Sequence, residues 1–96
     1  MTEPTFSFTM QEINEKIYLC QHCPLYATRH SAVPGEGDIN SSVIFVGEAP
    51  GEKEDLHGQP FIGKAGQLFT KILQSVQIQR KDIFITNIVK CRPPGN

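Results

Sequence analysis

The sequence has neither a long apolar run nor a leader-like segment. No window of the 96 residues holds the roughly 18 consecutive apolar residues that a membrane-spanning helix requires, so we expect no membrane partner. Residues 1–8 include Glu3 and Pro4, and they lack both the basic and the apolar stretch of a secretory signal. We therefore expect a cytoplasmic protein.

The chain also has little net charge. The chain has nine Lys and Arg residues and ten Asp and Glu residues, and its formal charge is −1. This balance argues against a protein that binds nucleic acid through a strongly basic overall charge, although a local basic patch stays compatible with it. The length allows one domain, residues 1–96.

Cysteine is scarce, with three residues at Cys20, Cys23 and Cys91. An odd number in a reducing compartment favours metal ligands or free thiols over disulfides. A redox dithiol is disfavoured because such pairs sit at a helix N-terminus, whereas this pair follows a predicted helix. Metal binding and inert thiols both remain open. Three thiolates near prolines favour an iron–sulfur cluster over zinc, but His22 or His30 is a candidate fourth ligand for zinc.

Local patterns predict a short N-terminal helix. Thr9 and Glu12 have the spacing of a capping box, and apolar residues recur on one face as far as about Leu19. Pro24 prevents continuation. Residues 29–41 are rich in Gly, Pro, Ser and Asn and indicate a loop.

Two apolar runs separated by an amphipathic segment predict a βαβ unit. Residues 41–47 are apolar on both faces, which is typical of a central strand covered on two sides. Residues 65–76 carry apolar side chains at helical spacing and predict a core-facing helix, and residues 82–89 predict a second strand. The right-handed crossover makes the two strands parallel. The fold class is therefore α/β, a βαβ-based parallel sheet with flanking helices, whose ligands bind beyond the carboxyl ends of the strands.

The segment between the first strand and the helix is interpreted as a ligand pocket rather than a solvated loop. It holds four carboxylates: Glu48, Glu52, Glu54 and Asp55. Phe61 in this segment is either a core plug or a stacking platform. Asn87 lies inside an apolar strand, where burying an amide costs free energy unless it is hydrogen-bonded. The amide can donate and accept hydrogen bonds at the same time, so it can bind one edge of a nucleic-acid base.

One phosphate-loop pattern in this segment is rejected. Residues 58–64 match the first seven positions of a P-loop, but the eighth is Ala65, which has no hydroxyl for Mg²⁺. The glycines do not directly follow the strand, and Pro60 lacks an N–H that would contact phosphate. We therefore expect no nucleoside triphosphate partner.

Four separated motifs occur together in this chain. They are Cys20-x-x-Cys23, Gly47-Glu-Ala-Pro-Gly51, Gly58-x-Pro-Phe-Ile-Gly-x-Ala-Gly66 and Ile85-Thr-Asn-Ile-Val-Lys-Cys-Arg-Pro-Pro94. In this order they resemble the family 4, iron–sulfur uracil-DNA glycosylases, over residues 13–96. The carboxylate of Glu48, in place of an apolar residue, favours family 4 over the related family 5.

The resemblance implies a fold, an activity and a cofactor. It implies the N-terminal part of a single three-layer α/β/α domain that hydrolyses the N-glycosidic bond of uracil flipped out of DNA, in base-excision repair. Cys20, Cys23 and Cys91 correspond to three ligands of a [4Fe-4S] cluster, and the family's fourth cysteine is absent from these residues.

The resemblance also assigns roles in the pocket. Phe61 corresponds to the aromatic that stacks on uracil, Asn87 to the amide on its Watson–Crick edge, and the Ala49 N–H to a donor for the uracil O2. Glu54 corresponds to a pocket carboxylate and Glu48 to the catalytic-motif carboxylate near the sugar. The family's second catalytic motif, which contains a histidine, is absent, so these residues carry only part of its catalytic machinery. The alternative hypothesis is a non-catalytic iron–sulfur or zinc module that binds nucleic acid.

Overall fold

The computed structural model of the protein describes residues 8–96. The expectation that no secretory signal is present falls almost entirely on residues 1–7, which lie outside the described residues. Among residues 8–96, no helix is both long and apolar enough to cross a membrane.

The first helix, α1, spans Met10–Leu19. The Thr9 hydroxyl accepts a hydrogen bond from the Glu12 N–H at 3.2 Å, which satisfies one of the free donors of the first turn. Cys20 is the extended C-cap, and a 3₁₀ turn follows at Pro24–Ala27. The predicted helix and its end are therefore confirmed.

A three-stranded sheet organises the rest of the chain. Its strands are β1 (Glu36–Gly37), β2 (Ile44–Gly47) and β3 (Phe84–Asn87), in the order β1-β3-β2. β2 and β3 pair in parallel, as predicted, whereas β1 pairs antiparallel with β3. β1 lies in residues that the sequence indicated as a loop. Gly37 makes this pairing possible, because it has a φ of 106° and a Cβ there would lie 1.9 Å from the Ile83 carbonyl oxygen.

Two helices lie between β2 and β3. α3 spans Lys64–Ser75, where the sequence predicts a helix. The shorter α2, Glu52–His57, was not predicted and forms in the carboxylate-rich segment. Its three acidic residues lie in the first turn, where they interact favourably with the helix dipole. Gly58 ends α2 in the left-handed conformation, with a φ of 71°. The α/β class is confirmed.

The predicted burial of β2 and α3 was wrong. Ile44 and Val46 are exposed by 60% and 52%, and within α3 only Phe69 and Leu73 of the apolar residues are even half-buried. The physical reason is the strand order. β2 lies at the edge of the sheet, and Phe45 on one face packs against the rings of Phe61 and Phe69, while Ile44 and Val46 stay exposed.

The core lies around β3 instead. Ile85 is fully buried at the centre of the sheet, as is Val33 in the segment before β1. The Val33 N–H donates to the Lys90 carbonyl at 2.7 Å, so this segment is held against the chain that leaves β3. This packing fixes the end of β3 at which the polar residues of the site lie.

Candidate functional site

The carboxyl ends of β2 and β3 lie side by side. Gly47 is paired in register with Asn87. The pairing continues past the strands, because the N–H groups of Ile88 and Val89 donate to the carbonyls of Gly47 and Glu48, both at 2.9 Å. The two segments that follow the strands are therefore fixed against each other, and they form one edge of the sheet.

A cleft of about 240 Å³ opens at this edge; we call it the rim cleft. The lining residues come from the ends of the two strands, from α2, from the loop before α3 and from the first turn of α3. They are Ala49, Glu54, Phe61, Gly63, Lys64, Ala65, Gly66 and Asn87. Four predicted site residues thus come together. Glu48 is exposed and is not among the lining residues.

The Asn87 amide has no hydrogen-bond partner in the part of the chain that the structure describes. The residue is 3% exposed. Buried amides are nearly always paired, and Asn87 lines the rim cleft. Its donor and acceptor are therefore available to a ligand there.

Ala49 offers a backbone donor at the same cleft. It follows the end of β2, and its N–H has no hydrogen-bond partner in the described part of the chain. An unpaired N–H in a partly enclosed site favours an acceptor or developing negative charge.

Phe61 lies in the cleft wall with an unusual backbone. Its φ is 54°, the left-handed region that a bulky residue rarely adopts. Its ring meets Phe45 edge-on at 5.5 Å between centroids and lies 5.7 Å from Phe69. Phe61 thus packs on apolar neighbours and also presents surface to the cleft. Its role as a stacking platform stays a prediction.

Two glycines permit this placement of Phe61. A Cβ on Gly66 would lie 2.0 Å from the carbonyl carbon and oxygen of Phe61. A Cβ on Gly47 would lie 2.3 Å from the Phe61 ring and 2.5 Å from Oδ1 of Asn87. Gly66 is required by close approach, because its neighbours are backbone atoms. At Gly47 the neighbours are ends of side chains, which an added Cβ would displace.

Glu54 stabilises the loop that contains Phe61 through hydrogen bonds to its backbone. Its Oε1 accepts from the Gly51 N–H at 2.9 Å, and its Oε2 accepts from the N–H groups of Ile62 and Gly63. Burial on its own raises the pKa of this carboxyl, but these backbone hydrogen bonds together outweigh it and hold the pKa below the ordinary value of 4.5. Glu54 is therefore an ionised anchor within the cleft wall.

The four carboxylates predicted as one pocket group have separate positions. Asp55 is buried and points to the segment before β1, where its Oδ1 accepts from the N–H groups of His30 and Ser31 at 2.8 and 3.2 Å. Glu52 is exposed on α2. Formation of α2 separates these residues, because consecutive positions on a helix point in different directions.

Arg80 is a residue that the sequence patterns missed. Its guanidinium donates to the carbonyls of Pro60 and Phe61 at 2.8 and 2.6 Å and pairs with Glu36 at 2.9 Å. Arg80 lies in a polar turn with no local motif, and its partners are 10 to 44 positions away in the chain. No local signal in the sequence marks it.

The three cysteines line a second cleft of about 240 Å³, which we call the thiol cleft. Cys20 and Cys23 follow α1, and the buried Cys91 follows β3. Arg29 donates to the Cys91 sulfur at 3.0 Å. His22 and His30 are exposed and do not line this cleft. Among residues 8–96, no group of three or more His, Cys, Asp or Glu side chains is close enough together to hold a metal ion.

Comparison with known proteins agrees with the motifs. The family model of the uracil DNA glycosylase superfamily matches residues 34–96. The chain is 53% identical over 87 residues to the Type-4 uracil-DNA glycosylase of Pyrobaculum aerophilum, an alignment that covers 91% of this chain and 44% of that protein. It is 47% identical to the Type-4 uracil-DNA glycosylase of Thermotoga maritima, with 91% of this chain and 45% of that protein covered.

The chain thus spans about half the length of the curated relatives it matches. The matched family model extends from the segment before β1 through the rim-cleft residues to Asn96, well over half of the chain. On this match, the chain belongs to the uracil DNA glycosylase superfamily.

Proposed function

We propose that this chain forms the base-recognition part of a uracil-DNA glycosylase, which hydrolyses the N-glycosidic bond of uracil in DNA during base-excision repair. The observation that carries the proposal is the meeting of Phe61, Asn87 and Ala49 in one cleft. An aromatic face, an unpaired amide and an unpaired N–H are the groups that a flipped pyrimidine requires. The names of the relatives, Type-4 uracil-DNA glycosylase, support the same reaction.

Asn87 selects uracil in this proposal. Uracil presents an acceptor at O4 and a donor at N3, and cytosine inverts both groups. The Asn87 amide can donate to O4 and accept from N3–H, whereas cytosine would place donor against donor and acceptor against acceptor. A mismatched base leaves both amide groups without partners, and this loss is costly at a residue that is only 3% exposed.

Phe61 stabilises the extruded base. Taking a nucleotide out of the stack costs a few kcal/mol, and stacking on an aromatic side chain returns about 1–3 kcal/mol. Phe45 and Phe69 support the ring from behind, with centroids 5.5 and 5.7 Å away. The ring therefore needs little reordering when the base arrives.

Ala49 and Glu48 act on the scissile bond. As the bond breaks, negative charge grows on the uracil O2 and positive charge on the sugar. The unpaired N–H of Ala49 stabilises the first charge. The carboxylate of Glu48, exposed beside the rim cleft, stabilises the sugar and orients water.

We propose an iron–sulfur cluster as the cofactor of the thiol cleft, whose three cysteines among residues 8–96 must move closer together than the structure places them in order to bind it. Cys20, Cys23 and Cys91 provide three of the four thiolate ligands that such a cluster takes. A bound cluster supplies a covalent tie between the end of α1 and the segment after β3. Three free cysteines in the chain agree with a cytoplasmic location.

Release of free uracil tests the enzymatic function. The protein as expressed from its own gene is mixed with a DNA oligonucleotide that contains one uracil, with Asn87→Leu as the matched variant. We expect uracil release by the parent and a large loss in the variant. If the parent binds this DNA but releases no base, the glycosylase function is wrong and the non-catalytic nucleic-acid-binding module replaces it.

A further inference from the structure

The left-handed backbone of Phe61 requires something to hold it. A φ of 54° is unfavourable for a residue with a large side chain. The carbonyls of Pro60 and Phe61 both accept hydrogen bonds from Arg80, at 2.8 Å to Nη2 and 2.6 Å to Nη1. Two successive carbonyls bound by one planar guanidinium cannot rotate independently.

Arg80 is itself fixed from two other elements. Its Nη2 contacts Oε1 of Glu36 in β1 at 2.9 Å, and its Nη1 donates to the hydroxyl of Thr70 in α3 at 3.1 Å. Thr70 in turn donates to the Gly66 carbonyl at 3.0 Å, in the turn of α3 that packs against Phe61. The Arg80 side chain is only 20% exposed, so solvent competes weakly for these bonds.

We propose that Arg80, oriented by Glu36, is a positioning residue that holds the Phe61 ring in place for stacking on the base. The inference rests on the proposed function, because it assigns Phe61 a base to stack on. Arg80 does not line the rim cleft. It contacts the loop at the carbonyls of Pro60 and Phe61, and we expect it to affect the base through the Phe61 ring.

Binding of two matched oligonucleotides separates positioning from general stability. One single-stranded DNA carries a central 2′-fluoro-deoxyuridine, whose N-glycosidic bond resists hydrolysis so that the uracil stays attached during the measurement. The other carries a tetrahydrofuran abasic residue, which has no base to stack. We expect the parent protein to prefer the uracil strand and Arg80→Gln to reduce that preference about tenfold, within the range of one stacking interaction. A purely structural defect would weaken binding of both strands equally. Lys81→Gln is the control, because it removes the same charge from an exposed neighbour.

A double-mutant cycle tests whether Arg80 acts through Phe61. In a Phe61→Leu background, Arg80→Gln has no ring left to misplace, so we expect it to cause no further loss of preference. Full additivity of the two losses would overturn the proposal. Glu36→Gln provides a second variant that keeps the guanidinium, and we expect a smaller loss of the same kind.

Hydrogen exchange at the amides of residues 61–63 distinguishes failure of the Arg80 proposal from failure of the proposed function. We expect faster exchange there in Arg80→Gln than in the parent or in Lys81→Gln. If exchange in Arg80→Gln is the same as in the parent, the role of Arg80 is overturned, even if the binding results agree with it. Faster exchange in a protein whose parent form shows no preference for uracil would refute the proposed function, and it would leave the Arg80 contact as purely structural.

Discussion

The ring of Phe61 lies directly against Gly47, so closely that a Cβ on Gly47 would be 2.3 Å from its ζ carbon. The same Cβ would be 2.5 Å from Oδ1 of Asn87. Gly47 is paired in register with Asn87 across two parallel strands. Because Gly47 has no Cβ, the Phe61 ring and the Asn87 amide can both lie close to its backbone.

Replacement of Gly47 by alanine should disrupt base recognition. The added Cβ must push away the ring of Phe61 and the amide of Asn87 together, so we expect preference for uracil over an abasic residue to fall about tenfold or more. Binding of the two oligonucleotides measures this loss. Ser42→Ala, at an exposed position before β2, is the control. Unchanged preference in Gly47→Ala would show that the ring and the amide do not act as a pair.

Asn87→Leu should remove discrimination between uracil and cytosine, because it replaces the amide by an apolar side chain with the same branching at Cγ. The amide has no hydrogen-bond partner among residues 8–96, so its loss breaks no described contact, and we expect a small change in thermal stability. Paired hydrogen bonds to one base are worth about 1–3 kcal/mol, so the preference for a uracil over a cytosine oligonucleotide should fall roughly 5- to 150-fold. If the variant still prefers uracil as strongly as the parent, Asn87 does not recognise the base.

Glu54→Gln should destabilise the loop between α2 and α3. An amide supplies one oxygen where the carboxylate accepts three N–H groups, so we expect a loss of about 1–3 kcal/mol in the free energy of unfolding. Urea denaturation measures it, with Glu52→Gln on the exposed side of α2 as the control. Equal stability of the two variants would contradict the anchoring role.

The same carboxylate predicts a dependence on pH. Its native pKa lies below the ordinary value of 4.5, so its stabilising contribution is present above about pH 4.5 and is lost as the pH falls through the native pKa. The stability difference between the parent and Glu54→Gln should therefore shrink below pH 4.5. A difference that stays constant as the pH falls would contradict the assignment.

Cys20→Ala should abolish the visible absorbance that we expect of an iron–sulfur cluster in anaerobically purified protein. His22→Ala is the matched control, since His22 lies between the two cysteines of the same motif and is exposed. We expect it to keep its absorbance. A colourless protein that contains stoichiometric zinc, with zinc lost in His22→Ala, would refute the cluster and favour the zinc site.

Much of the fold could be read from local patterns. Thr9 and Pro24 bound α1, and the apolar runs around β2 and β3 predict parallel strands that the structure pairs directly. The burial of β2 could not be predicted, because a strand that is apolar on both faces can lie either in the centre of a sheet or at its edge. Here β2 is an edge strand with exposed Ile44 and Val46.

The sequence by itself determined the family of this protein and named the residues of its candidate site, since four motifs in order carry that information without any geometry. The tertiary structure decided how those residues meet. It placed Glu54 as a loop anchor, Asp55 away from the rim cleft, and Arg80 behind Phe61. These relationships join residues far apart in the chain through hydrogen bonds and close packing, which no local pattern encodes.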